Sequence, residues 1–210
     1  MMLIKQNQEF KELVVSQNTQ IIELSRQTTT TNNTQNITTN NIQHQTFNLN
    51  LFLNETCKDA MNITEFVNSL KLNLMDLEKV GELGYAEGIS RMFVNGLNEL
   101  DITKRPIHCS DLKREIIHIK DQDKWERDTE NQDRLKKAIR DLSNKNIMLL
   151  DDWRTENPGC HEYNHNKNDM YLRMMVETMG PGGGHAEKRE FNKIIRAVAK
   201  NTIIQKTTME

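Results

Sequence analysis

The sequence predicts an α+β fold: a mainly helical body with one N-terminal strand and one β-hairpin, preceded by a short coiled-coil helix. Three observations lead there. Apolar residues recur at three- and four-residue spacing through most of the chain after residue 62. Strict alternation marks 46–53, and a β-branched run followed by a polar turn marks 116–127.

The organisation follows in three parts: an oligomerisation helix at 1–26, a Thr/Asn/Gln-rich tract at 27–45 and a globular body at 46–205. In the first part Leu3, Phe10 and Leu24, with Gln17, form one heptad series, and Val14 and Ile21, with Asn7, form the other. Together they give the alternating spacing of a coiled-coil seam. About three heptads are marginal for a lone helix, so the segment reads as a seam between partner chains or as an amphipathic helix docked on its own body. The expected assembly is a homo-oligomer, with a trimer favoured. Seventeen of the twenty residues at 27–46 are Thr, Asn or Gln. That composition reads either as a tether or, because Thr favours extended backbone, as a ladder between chains.

In the body, Phe47, Leu49, Leu51 and Leu53 should share one face of a strand. Asn62 and Glu65 form a capping box for a helix running to about Lys79, with Gly81 suited to its C-cap. A second helix spans Tyr85 to Leu100, with Gly88 and Gly96 set for close approach of a neighbour. Pro106 interrupts the pattern. The hairpin takes 116–127, and a third helix runs from 129 to 149 with Trp153 covering the core near its end. A methionine-rich helix at 170–179, a GPGGG break at 180–184 and a last helix around Phe191, Ile194, Ile195 and Val198 complete the body.

With 28 Lys and Arg against 30 Asp and Glu, the net charge of −2 argues against a general nucleic-acid coat. No run approaches the roughly 20 apolar residues of a membrane span, and the start lacks a signal-peptide core. Three widely spaced cysteines point to an intracellular, reducing compartment.

Neither a cofactor nor a bound metal is expected. The nearest approach to a zinc ligand set is Cys160, His161 and His165, with His108 and Cys109 as a second pair. These lack a paired finger spacing and would have to be brought together by the fold. Cys109 beside His108 and Asp111 has the residue types of a nucleophilic site, but chain neighbours rarely face each other usefully. Cys57 and Cys109 read more simply as small core residues. Helix, glycine turn, helix and hairpin together suggest a winged helix-turn-helix, with Lys104, Arg105, Lys113 and Arg114 as phosphate contacts. Against it, the second helix carries Arg91 with Glu87 and Glu99 and would be an acidic recognition element.

The stretches QTFNLNLFLNETCKDAMNITEFVNSL, LEKVGELGYAEGIS and LDITKRPIHCSDLKREIIHIKDQDKWE resemble an uncharacterised protein family encoded by giant DNA viruses and some phages. The run RPIHCSDLKRE with its following KD and KWE is the most specific part. The resemblance extends from about residue 45 to 205 and implies a viral origin, in the host cytoplasm or virion, and a modular layout. Members often carry an N-terminal C2H2-type zinc finger before a coiled coil and an Asn/Thr-rich tract; this chain has no finger. The expected function is a non-enzymatic structural or interaction protein that oligomerises through its arm. The alternative is a nucleic-acid-binding accessory protein using the winged-helix-like hairpin and the 104–114 loop.

Overall fold

Asn48 sets the start of the folded body. Its side chain accepts a hydrogen bond from the Leu51 amide at 3.2 Å and caps a helical turn, α1 (Leu49–Leu51), which runs into a π-helical turn at Phe52–Thr56. This corrects the strand expected at 46–53. Leu49, Leu53 and Cys57 also fall four apart, and Leu53 and Cys57 are the buried pair, whereas Leu51 is 59% exposed. A strand would need a neighbour for its backbone groups; the helical turns satisfy them locally. The computed structural model describes residues 47–205, within a unit spanning Gln45–Glu210. The seam residues Leu3, Phe10, Val14, Ile21 and Leu24, and the tract at 27–45, lie outside the described residues.

Among the described residues, seven helices and a three-stranded antiparallel sheet make the mainly helical α+β body. The helix expected from Asn62 to Lys79 is two: α2 (Ile63–Ser69) and α3 (Leu74–Leu83). The Asn62–Glu65 capping box is present, and Asn73 with Asp76 forms a second one that starts α3. The apolar spacing of Leu70, Leu74 and Leu77 runs across the break and hides it. The carbonyls freed at the end of α2 are met from a distance: Lys145 Nζ donates to Val67, Asn68 and Leu70 O at 3.0, 2.9 and 2.8 Å.

Gly84, not Gly81, ends α3. It holds φ +87°, a conformation costly for a side chain, and starts α4 (Tyr85–Asn98) directly. Gly81 lies inside α3 against Met174. Nine of the fourteen residues of α4 are buried. At Gly88 a Cβ would stand 2.7 Å from Val80 Cα, so the missing side chain is what lets α3 and α4 meet.

Strands β1 (Ile107–Asp111), β2 (Ile116–Asp121) and β3 (Lys124–Arg127) pair in the order β1-β2-β3. The hairpin is β2–β3; Gln122 and Asp123 turn it with φ +48° and +60°, the left-handed pair of a two-residue loop. Ile107 pairs with Ile119 and Cys109 with Ile117, and all four are buried. Strand β1 was not expected, because Pro106 and the polar residues between Ile107 and Asp111 mask a short edge strand. Its outer side is covered by the chain's return: Cys109 N donates to Thr202 O at 2.8 Å and Ile204 N to Cys109 O at 2.9 Å.

Helix α5 (Asp133–Glu156) starts later and ends later than expected. The buried Asp128 carboxylate accepts from the Thr129, Arg134 and Leu135 amides and fixes the start. Helices α6 (Asn166–Thr178) and α7 (Gly184–Asn201) close the body. The main core joins α2–α5, α7, β1 and β2; a smaller cluster holds Leu77, Trp153, Cys160 and Met174. Among the described residues, no helix is long and apolar enough to cross a membrane.

Asn146 lies on α5 between Leu142 of the main core and Leu149 of the smaller cluster, fully buried, and neither amide atom has a hydrogen-bond partner. Replacement Asn146→Leu is expected to raise the unfolding free energy by about 1–3 kcal/mol in urea melts, because an unsatisfied polar group leaves the interior. Gly88→Ala should lower it by about 1–3 kcal/mol through overpacking against Val80, opposite in sign to the effect of helix propensity alone.

Candidate functional site

One thiol–imidazole pair is assembled by the fold. The π-helical turn ends at Cys57, and β1 brings His108 to it, with Cys57 Sγ 3.5 Å from His108 Nε2. Phe52 meets the imidazole edge-on at 5.0 Å and Trp125 lies 5.4 Å away, tilted. Trp125 Nε1 donates to Cys57 O at 3.2 Å, and the buried Lys120 ammonium donates to Lys58 and Ala60 O at 2.5 and 2.9 Å. Cys57 is inaccessible and His108 only 2% exposed. Burial pushes the Cys57 thiol up to about 11, against the opposing charge of Lys120. Burial, helped by Arg105 and His118, holds His108 down at about 4. A nucleophilic cysteine requires the reverse, a depressed thiol pKa in an accessible, positive setting. At neutral pH this pair is a neutral thiol against a neutral imidazole, and its role is to tie the turn to the sheet.

The triad of neighbours Cys109, His108 and Asp111 does not form. Successive strand residues face opposite sides, so Cys109 points into the main core while His108 faces Phe52 and Trp125. Burial raises the Cys109 pKa as well. Cys57, 51 residues from His108, could be found only through the fold.

The zinc candidates are likewise dispersed. Cys160 is buried beside Leu77, Trp153 and Met174. His161 is exposed and meets Tyr171 edge-on at 5.4 Å. His165 Nδ1 accepts from Lys167 N at 3.2 Å and caps α6. His108 and Cys109 stand on β1. Among the described residues, no three His, Cys, Asp or Glu side chains are placed to hold a metal ion.

The basic residues of 104–114 are split. Lys104 and Arg105 precede β1, and Lys113 and Arg114 sit in the turn after it, separated by a strand of about 16 Å. Lys104 pairs with Asp59 at 3.7 Å, and Arg105 donates to Leu100 O and Asn98 Oδ1 at 3.3 Å each. The expected recognition helix, α4, is the most enclosed helix of the body, packed by α3, α5 and α7, and Arg91 on its open side is held by Glu87 at 2.9 Å. A winged helix-turn-helix that inserts α4 into a groove is therefore not what these elements build.

Two surface rows do emerge. Along α6 and its C-cap, Leu172, Val176 and Met179 are 45%, 63% and 70% exposed, while Met174 and Thr178 face inward. On α7, Arg189, Lys193, Arg196 and Lys200 are all exposed. Between them a cleft of about 650 Å3 opens among Gly84, Val176, Pro181, Ala186 and Lys193. At its floor the Glu177 carboxylate accepts from Tyr85 N at 3.1 Å, capping α4. Both rows are readable as helical spacing, but apolar periodicity alone does not say which side of a helix stays open.

The depressed His108 pKa gives a signed pH dependence. The unfolded chain binds this proton near the ordinary 6.5 and the folded chain only near 4, so stability is full above 6.5 and is lost as pH falls towards 4, by about 3 kcal/mol. His118, also lowered by burial, adds in the same direction. Urea midpoints measured across this range should show the slope, and His108→Phe should flatten it. Compared with known proteins, the chain matches no protein-family model, no curated protein and no solved structure.

Proposed function

We propose that this chain is a non-enzymatic interaction protein of viral origin, acting in the host cytoplasm or virion, which oligomerises through the heptad seam of its N-terminal arm. The carrying observation is the apolar row Leu172, Val176 and Met179, exposed along α6 and its C-cap, while the three thiols and His108 are buried. Exposed apolar rows of this kind mark contact surfaces for other proteins. Presenting several copies of such a surface strengthens weak contacts without improving any one of them. The viral assignment rests on the RPIHCSDLKRE resemblance and the oligomer on Leu3, Phe10, Val14, Ile21 and Leu24.

Mass in solution tests the assembly. The full chain should be an oligomer, a trimer by preference, and a chain beginning at Thr46 should be a monomer. A monomeric full chain would remove the arm model, and the same oligomer from both chains would move assembly to the body. A thiol reagent tests the non-enzymatic reading: Cys57, Cys109 and Cys160, all buried, should label only as fast as the protein opens. Rapid native labelling at Cys109 would sink it.

A further inference from the structure

Helix α7 carries a row of four exposed cations. Arg189, Lys193, Arg196 and Lys200 stand at i, i+4, i+7 and i+11, which places them in one narrow strip spanning about 16 Å of helix. Glu190 interrupts it, bonded to Arg189 at 3.1 Å and Lys193 at 2.9 Å, with its side chain only 16% exposed. Glu87, across the groove on α4, is taken up by Arg91. Arg196 and Lys200 make no ion pair among the described residues. The opposite side of α7, with Phe191, Ile194, Ile195, Val198 and Ala199 buried, holds the strip on a rigid base. A chain of net charge −2 thus concentrates positive charge on one helix face.

We propose that this face of α7 binds the phosphate backbone of a nucleic-acid duplex, without reading bases. A row of about 16 Å follows about five base-pair steps of a strand at about 3.4 Å each. Phosphate contacts of this kind position a protein and carry no sequence information. The chemistry favours a duplex over other polyanions. Single strands are held by aromatic platforms, and the one aromatic residue of α7, Phe191, is 3% exposed. A helix that lies in an anionic membrane buries its own apolar face in the lipid, and that face of α7 is already committed to the core. This surface is separate from the 104–114 loop; Arg189 and Lys193 share a cleft with Val176 of the apolar row, whereas Arg196 and Lys200, the residues varied below, do not line it.

The test is fluorescence anisotropy of the full chain with labelled DNA and RNA duplexes of about 20 base pairs, which distinguish the two sources of backbone. With about three net charges engaged, affinity should fall about 40-fold between about 50 and 200 mM salt. The double variant Arg196→Glu/Lys200→Glu, at two exposed positions, should lose at least tenfold in affinity at about 50 mM salt with an unchanged melting curve. Lys113→Glu/Arg114→Glu should bind as the parent does. No binding at low salt, binding indifferent to the α7 variant, or loss confined to the Lys113/Arg114 variant would overturn the proposal. So would equal competition by polyglutamate, a single strand or anionic vesicles.

Discussion

Burial of α4 on all but one face is the constraint around which the body is built. A helix enclosed this fully needs neighbours at several angles, and α3, α5 and α7 supply them. Close approach is available only where side chains are absent, which is why Gly88 sits against Val80. The sheet then closes the core with Ile107, Cys109, Ile117 and Ile119. Dispersion and burial along α4 are the main source of cohesion, and shape changes there propagate because the packing leaves little room to relax.

Packing of that density breaks the chain into short pieces, and each break leaves polar backbone groups to be met. This body meets several with side chains from far away in sequence. Lys145 closes the end of α2, Lys120 holds the loop after Cys57, Asp128 starts α5, and Glu177 starts α4. Charged groups suit the task because hydrogen bonds to them are about twice as strong as neutral ones. Each also joins two elements, so the same bonds that satisfy the backbone fix the tertiary arrangement.

The same economy explains the fate of the reactive residues. Cys57 and His108 meet, but in a dry setting that holds both neutral. Cys160 fills a gap, and His165 caps a helix. Among the outward groups are an apolar row along α6 and a cationic row on α7, surfaces suited to contact.

Local signals determined the elements that depend on short-range chemistry. The Asn62–Glu65 box, the 116–127 hairpin, the glycines of α4 and the helical class were legible because caps, turns and periodicity act within a few residues. Errors arose where one pattern serves two structures. TFNLNLFL alternates like a strand yet also repeats every four residues; the cap from Asn48 starts the helical turns, and among the described residues no strand pairs with this segment. The apolar stripe across Leu70 concealed the break between α2 and α3, although the second Asn-x-x-Asp box was present to be read. The sequence by itself thus determined which segments coil, turn and face inward. Only the tertiary structure decided that Cys57 meets His108, that the basic loop is divided by β1, and that the cations of α7 share an open face. Those are questions of which distant surfaces exclude water from one another, and no local spacing encodes them.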